Sequence, residues 1–168
     1  MADLSLKPIT PLGNDAPLRV TIGPVTIAEV VDSALASLTR RMGQDIAAAA
    51  KGAGIPLPAA GKAEQGATYG AFWLGPDSWM VEAPFASHED IVAHLKPVFG
   101  ETASITEQTD AWARFDVTGE RLPALFERLC NYDIARHGAG SASRTMLEHL
   151  GCYVVIRTAT HISVLGPR

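Results

Sequence analysis

The chain repeats its own order of elements, and nothing else in it constrains the fold as much. Trp73-Leu-Gly-Pro-Asp-Ser-Trp-Met-Val81 aligns without a gap on Ile156-Arg-Thr-Ala-Thr-His-Ile-Ser-Val164. Upstream, Thr26-Ile-Ala-Glu-Val-Val-Asp32 aligns on Ser104-Ile-Thr-Glu-Gln-Thr-Asp110, and Gly43–Ala50 falls near Gly119–Phe126. Two copies are too few for a solenoid. They predict an α+β fold of two pseudo-symmetric halves, each strand, strand, helix, strand, strand and then a helix. The halves are expected at about 25–100 and 101–168 of a single domain spanning 25–168. Residues 1–24 carry Pro8, Pro11, Gly13, Pro17, Gly23 and Pro24, and read as an extended arm with little local structure.

Local patterns supply the elements. Tyr69–Leu74 and Trp79–Ala83 are strand-like runs around Gly75-Pro-Asp-Ser78, a four-residue loop in which Pro76 fixes φ and Asp77 is expected to bond its own backbone. Alternation sets Trp79 and Val81 on one face and Met80 and Glu82 on the other. Ser87, with Asp90 three residues on, reads as the cap of a helix that Pro97 should end near Leu95 or Lys96. Ser104–Asp110 and Ala111–Val117 read as strands. A second helix opens at Gly119-Glu120, with Leu122, Leu125, Phe126 and Leu129 on one face. Lys51–Gly66 and Asn131–Ser143 read as loops. Period alone would make Ile27, Val30, Val31, Leu35, Leu38 and Met42 a helix face. The repeat instead requires strands near Val25–Val30 and Leu35–Arg40, broken at Asp32-Ser33.

Composition removes several classes of function. With 168 residues, 47% hydrophobic and 19% charged, the chain can bury a core without staples. A net charge of −4 argues against a nucleic-acid partner. No apolar run reaches the length of a membrane span, and Met1–Thr10 lacks the apolar block of a signal peptide. Cys130 and Cys152 make no disulfide framework, so a cytoplasmic protein with reduced thiols is expected.

The run Trp73-Leu74-Gly75-Pro76-Asp77-Ser78-Trp79 resembles the hallmark of the gamma subunit family of heterotetrameric sarcosine oxidases. Leu57-Pro58, Asp133 after a helix ending near Cys130, and Gly140 followed by Arg144-Thr145 are similar to the same family. Arg136-His137 departs from it, standing where a more apolar stretch is expected. The resemblance spans about Val25–Arg168. It implies the fold of the aminomethyltransferase folate-binding domain, with two swapped halves. It also implies an accessory chain without catalytic, cofactor-binding or metal-binding residues of its own. The alpha, beta and delta subunits would then be its partners and would carry FAD, FMN, NAD and tetrahydrofolate. The hairpin residues Trp73, Leu74, Gly75, Pro76, Asp77 and Trp79 would serve structure or an interface. A freestanding folate- or pteridine-binding module of the same superfamily is the alternative.

Other chemistry has weak support in the sequence. Gly151-Cys152-Tyr153 partly matches a motif of folate-dependent iron–sulfur repair proteins. Leu150 stands where that motif has Lys, and Val155-Ile156 where it has Gly-Gln, so Cys152 reads as a small buried hydrophobe. His149-x-x-Cys152 has no second ligand pair for zinc. No nucleophile elbow or dinucleotide fingerprint is visible. Trp73, Trp79 and Trp112 read as core and subunit contact rather than a stacking platform, with at least one of the hairpin pair buried. Finally, the repeat predicts a helix after the second hairpin where the first half has one after Ala83, and none follows. A sheet face in the second half should therefore be under-covered, unless the arm folds back over it.

Overall fold

A computed structural model describes residues 9–168. The chain begins with strands β1 (Arg19–Ile22), β2 (Val25–Val30) and β3 (Ser33–Arg40), followed by helix α1 (Ala47–Gly52). Strands β4 (Ala63–Gln65), β5 (Gly70–Gly75) and β6 (Ser78–Pro84) come next, then helices α2 (Phe85–His88) and α3 (Ile91–Phe99). The second half holds β7 (Ala103–Glu107), β8 (Trp112–Gly119), α4 (Leu122–Phe126), α5 (Ile134–His137), β9 (Ser141–Leu147), β10 (Leu150–Thr158) and β11 (His161–Pro167).

The strands form two antiparallel sheets, ordered β4-β5-β6-β3-β7 and β1-β2-β8-β11-β10-β9. Written as β9-β10-β11-β8-β2, the second order repeats the first strand for strand. β2 and β7 are exchanged: each belongs by sequence to one half and pairs in the other half's sheet. The registers repeat as well. Ala34 faces Ala83 and Leu38 faces Trp79, just as Ala113 faces Gly166 and Val117 faces Ile162. Both hairpins even shift register at the same place, between Trp73 and Gly75 and between Ile156 and Thr158. The expected duplicated α+β fold is therefore the observed one. The two sheets also meet along β4 and β9, where Ala63 N–H donates to Gly140 O at 3.0 Å and Ala142 N–H to Gly61 O at 2.9 Å.

The central strands of both sheets carry apolar side chains on both faces. Leu35, Phe72 and Met80 of the first sheet pack between the sheets against Tyr153, Val155 and Leu165 of the second. The outer face of the first sheet meets α1 and α3 through Ala36, Leu38, Val81, Ile91 and Leu95. The outer face of the second meets α4 and α5 through Val154, Ile156, Leu122, Phe126 and Ile134.

Several local expectations are corrected. The arm expected through Pro24 contributes a strand, β1, and Met1–Pro8 lies outside the described residues. The two expected loops contain β4, α5 and the start of β9. Each of these strands pairs with the next strand of its own half, β4 with β5 and β9 with β10, and glycine-rich local composition does not register them. The hairpin turn is tighter than expected, with only Pro76 and Asp77 between the strands, and Asp77 takes φ 58°. Its carboxylate accepts from Arg40 Nε at 3.1 Å and Nη2 at 2.7 Å rather than capping its own loop. Asp90, not Ser87, caps the helix, accepting Ala93 N–H at 3.0 Å. Pro97 lies inside α3, which runs on to Phe99 because that side chain is 2% exposed in the core.

Candidate functional site

The hairpin singled out in the sequence is a structural corner of the first sheet. Trp73 and Trp79 are direct cross-strand partners, and both are half-buried, so neither is the fully buried tryptophan expected. Trp79 packs on the helix-covered core, and its Nε1–H donates to Pro58 O at 2.8 Å. Leu74 turns toward the space between the sheets, while Pro76 and Asp77 are exposed in the turn beyond Gly75. Trp112 lies between the sheets, edge-on to Tyr153 at 5.4 Å, on the opposite side of the first sheet from Trp79. The three tryptophans therefore do not build one stacking surface. Cys152 is buried, and burial pushes its thiol up, away from the reactive thiolate. His149 is exposed, and among the described residues no group of three His, Cys, Asp or Glu side chains could hold a metal ion.

The structure assembles a different cluster, which the sequence reading did not identify. Glu82 of β6 is 5% exposed and points between the sheets. Arg157 Nη2 donates to both of its oxygens, at 2.6 and 2.9 Å. Arg157 Nε donates to Ser163 Oγ at 3.0 Å, and Ser163 Oγ donates to Asp116 Oδ1 at 2.7 Å. Arg114 grips Asp116 through Nε at 3.0 Å and Nη2 at 3.2 Å, and its Nη1 reaches Glu82 at 3.5 Å. The ring Glu82–Arg157–Ser163–Asp116–Arg114 is thus closed, with Glu82 supplied by the first sheet and the rest by the second.

Burial and charge compete within this ring. Burial alone would raise the Asp116 carboxyl, but hydrogen bonds from Arg114 and Ser163 and the Arg114 charge hold it below the usual range. Burial would likewise lower Arg114, but Glu82 and Asp116 keep its guanidinium above its ordinary value. His161 Nε2 is 2.9 Å from Asp116 Oδ2 but poorly aligned, leaving it without a directed hydrogen bond.

The ring forms part of the wall of an open cavity of about 660 Å³, lined also by Asp32, Gln65, Thr68 and His161. Polar side chains of both signs converge there on otherwise apolar surroundings, as small-molecule sites require. The sequence held one signal for it. Glu82 falls on the strand face opposite Trp79, and in a stack of two sheets that face is buried too.

The exchanged strands, the paired hairpins and the central contact of the two sheets define a duplicated α+β fold of the aminomethyltransferase type. Two solved structures share this fold. One is heterotetrameric sarcosine oxidase from Corynebacterium sp. U-96, in complex with pyrrole 2-carboxylate. It matches with TM-score 0.72 and 22% identity over 85% of this chain and 75% of that chain. The other is glycine cleavage system aminomethyltransferase T from Bartonella henselae, with TM-score 0.60 and 9% identity over 82% of this chain. This chain spans only 40% of that aminomethyltransferase. No family model matches the sequence, and no curated protein matches it. No helix among the described residues is long and apolar enough to cross a membrane.

Proposed function

We propose that this chain is a non-catalytic accessory subunit, of the gamma type, in a flavin-dependent heterotetrameric sarcosine oxidase that demethylates sarcosine to glycine. The observation that carries this reading is the extent of the likeness. The chain overlays on three-quarters of a sarcosine oxidase chain, but on less than half of an aminomethyltransferase. In this reading the alpha, beta and delta chains hold FAD, FMN, NAD and tetrahydrofolate, and this chain contributes surface. The test begins with the purified chain. It is expected to be colourless and to yield no peroxide from sarcosine until partner chains are added. A flavin absorbance band, or sarcosine turnover by the chain alone, overturns the reading.

A second reading, a freestanding folate- or pteridine-binding module, is favoured by the cavity above Glu82, Arg114 and Arg157. Calorimetric titration with tetrahydrofolate separates the two. Stoichiometric binding to the isolated chain supports the module, and no heat of binding supports the accessory subunit.

A further inference from the structure

The two sheets end in β4, β7, β9 and β1, and the first three of these edges are blunted. β4 and β9 abut each other through Lys62 and Ser141. β7 exposes only polar side chains, Ser104, Thr106 and Glu107. β1 differs. Arg19–Ile22 are all exposed, and no described residue pairs with the outer edge of the strand. Alternation sets Leu18, just before the strand, on one face with Val20 and Ile22, and these are 43%, 38% and 66% exposed. Arg19 and Thr21 take the other face. The register against β2 decides which backbone groups point outward. Leu18 O accepts from Glu29 N–H at 2.8 Å, and Val20 and Ile22 stand opposite Ile27 and Val25. In an antiparallel ladder alternate residues bond the same neighbour, so Leu18, Val20 and Ile22 turn toward β2. Arg19 and Thr21 turn their N–H and C=O groups to the open edge.

We propose that β1 pairs antiparallel with β1 of a second copy of this chain, about a two-fold axis at Val20. Residues directly opposite in such a pair share a face, so the occupant of this edge must be apolar where β1 is apolar. The strand is its own complement in this respect. Val20 faces Val20 of the second copy, Leu18 faces Ile22, and Arg19 faces Thr21. On each side of the axis Arg19 and Thr21 exchange both backbone hydrogen bonds, which uses every outward group of β1. The apolar stripe runs unbroken from one copy into the other. Each guanidinium lies opposite a threonine, so no like charges are opposed. An axis at Thr21 also matches the faces, but it sets Arg19 against Gly23 and Leu18 against Pro24, outside the strand. A two-fold interface needs one patch that fits itself, and this edge is such a patch. The inference goes beyond the accessory-subunit reading and does not rest on it.

The experiment oxidises the purified full chain with diamide after single substitutions to cysteine. Val20→Cys sets two thiols on the axis in a non-hydrogen-bonded pair, with Cα atoms about 4.5 Å apart and within disulfide reach. Thr21→Cys sets them on a diagonal of about 7–8 Å, beyond that reach. Val20→Cys is expected to give about tenfold more disulfide-linked dimer than Thr21→Cys or the unsubstituted chain, whose Cys152 is buried. Mass spectrometry should place the bond at position 20 of both chains. Adding Ile22→Lys to Val20→Cys breaks the apolar stripe with a charge and should lower the yield about tenfold. Adding Met42→Lys, at a residue outside both sheets, should not. Val20, Thr21, Ile22 and Met42 are all exposed, so the variants keep the fold. No dimer from Val20→Cys, or as much from Thr21→Cys, overturns the inference. So does a bond from position 20 to another cysteine of the same chain, or a yield that Ile22→Lys leaves unchanged.

Discussion

Glu82 and Arg157 join the two sheets through one guanidinium nitrogen that donates to both carboxylate oxygens, at 2.6 and 2.9 Å. The repeat places Leu165 where Glu82 stands and Leu74 where Arg157 stands. One end of the inter-sheet layer is therefore ionic and the other apolar, on a single backbone plan. Alternation places Leu74 on the face of Phe72 and Arg157 on the face of Val155, and both hairpins shift register at these positions.

This pairing has a direct test. Glu82→Ala strands buried Arg157 without its carboxylate and should cost about 3–5 kcal/mol. The double variant Glu82→Leu with Arg157→Leu copies the apolar end and leaves Arg114 paired with Asp116. It should recover most of that loss, since an apolar pair often replaces a buried ion pair at no cost. Denaturant midpoints of the three proteins check this, and a double variant as unstable as Glu82→Ala contradicts it.

The hairpin gives a second test. Trp79→Ala removes a half-buried ring and its bond to Pro58 O, and should cost about 3 kcal/mol. Ser78 shares only an exposed hydroxyl contact with Thr39 at 2.9 Å, so Ser78→Ala should stay within about 0.5 kcal/mol. Equal denaturation midpoints for the two variants would show that Trp79 is not the anchor of this corner.

Gly119 ends β8 at φ 140°, and a β-carbon there would come to 2.1 Å from Pro24 O. The contact is with backbone, so no side-chain rotation relieves it. Gly119→Ala should force β2 away from β8 and cost more than about 2 kcal/mol. A thermal melt unchanged from the parent would refute the close approach.

Stability should fall in acid through two carboxylates. Asp116 is held low against its burial by Arg114 and Ser163. Burial would also raise Glu29, but the N–H groups of Leu18 and Leu12 hold it low. Each titrates lower folded than unfolded, so its stabilisation is complete above the unfolded value, near pH 4–4.5. It is lost as pH falls through the folded value. Unfolding free energies measured from pH 7 down to pH 3 should drop below about pH 4.5, and less steeply for Glu29→Gln. A flat profile would mean that neither carboxylate is stabilised by folding.

Much of the fold was legible because a repeat reports topology that local propensity misreports. Ile27–Met42 has a helical period, and only its match to Ser104–Asp110 reveals two strands there. β4 and β9 stayed hidden because both begin among glycines and alanines, and the contact that joins them across the sheets, Lys62 with Ser141, spans residues far apart in sequence. The ring was missed for a similar reason. Its members lie on four strands, and no spacing in sequence brings Glu82 to Arg157. The repeat also equates Ala113 and Phe115 of β8 with Ala34 and Ala36 of β3, and the first pair is half-buried where the second is fully buried beneath α3. The structure adds that residues 10–18 fold back onto part of that face, around Glu29.

The accessory-subunit account is tested most directly by purifying the full chain from its source cells under native conditions and recording the absorbance spectrum of what elutes with it. The account predicts a yellow assembly of fixed stoichiometry, containing larger chains, whose flavin bands bleach when sarcosine is added without oxygen. A colourless chain that elutes alone or only with copies of itself, and that binds tetrahydrofolate stoichiometrically, would contradict it.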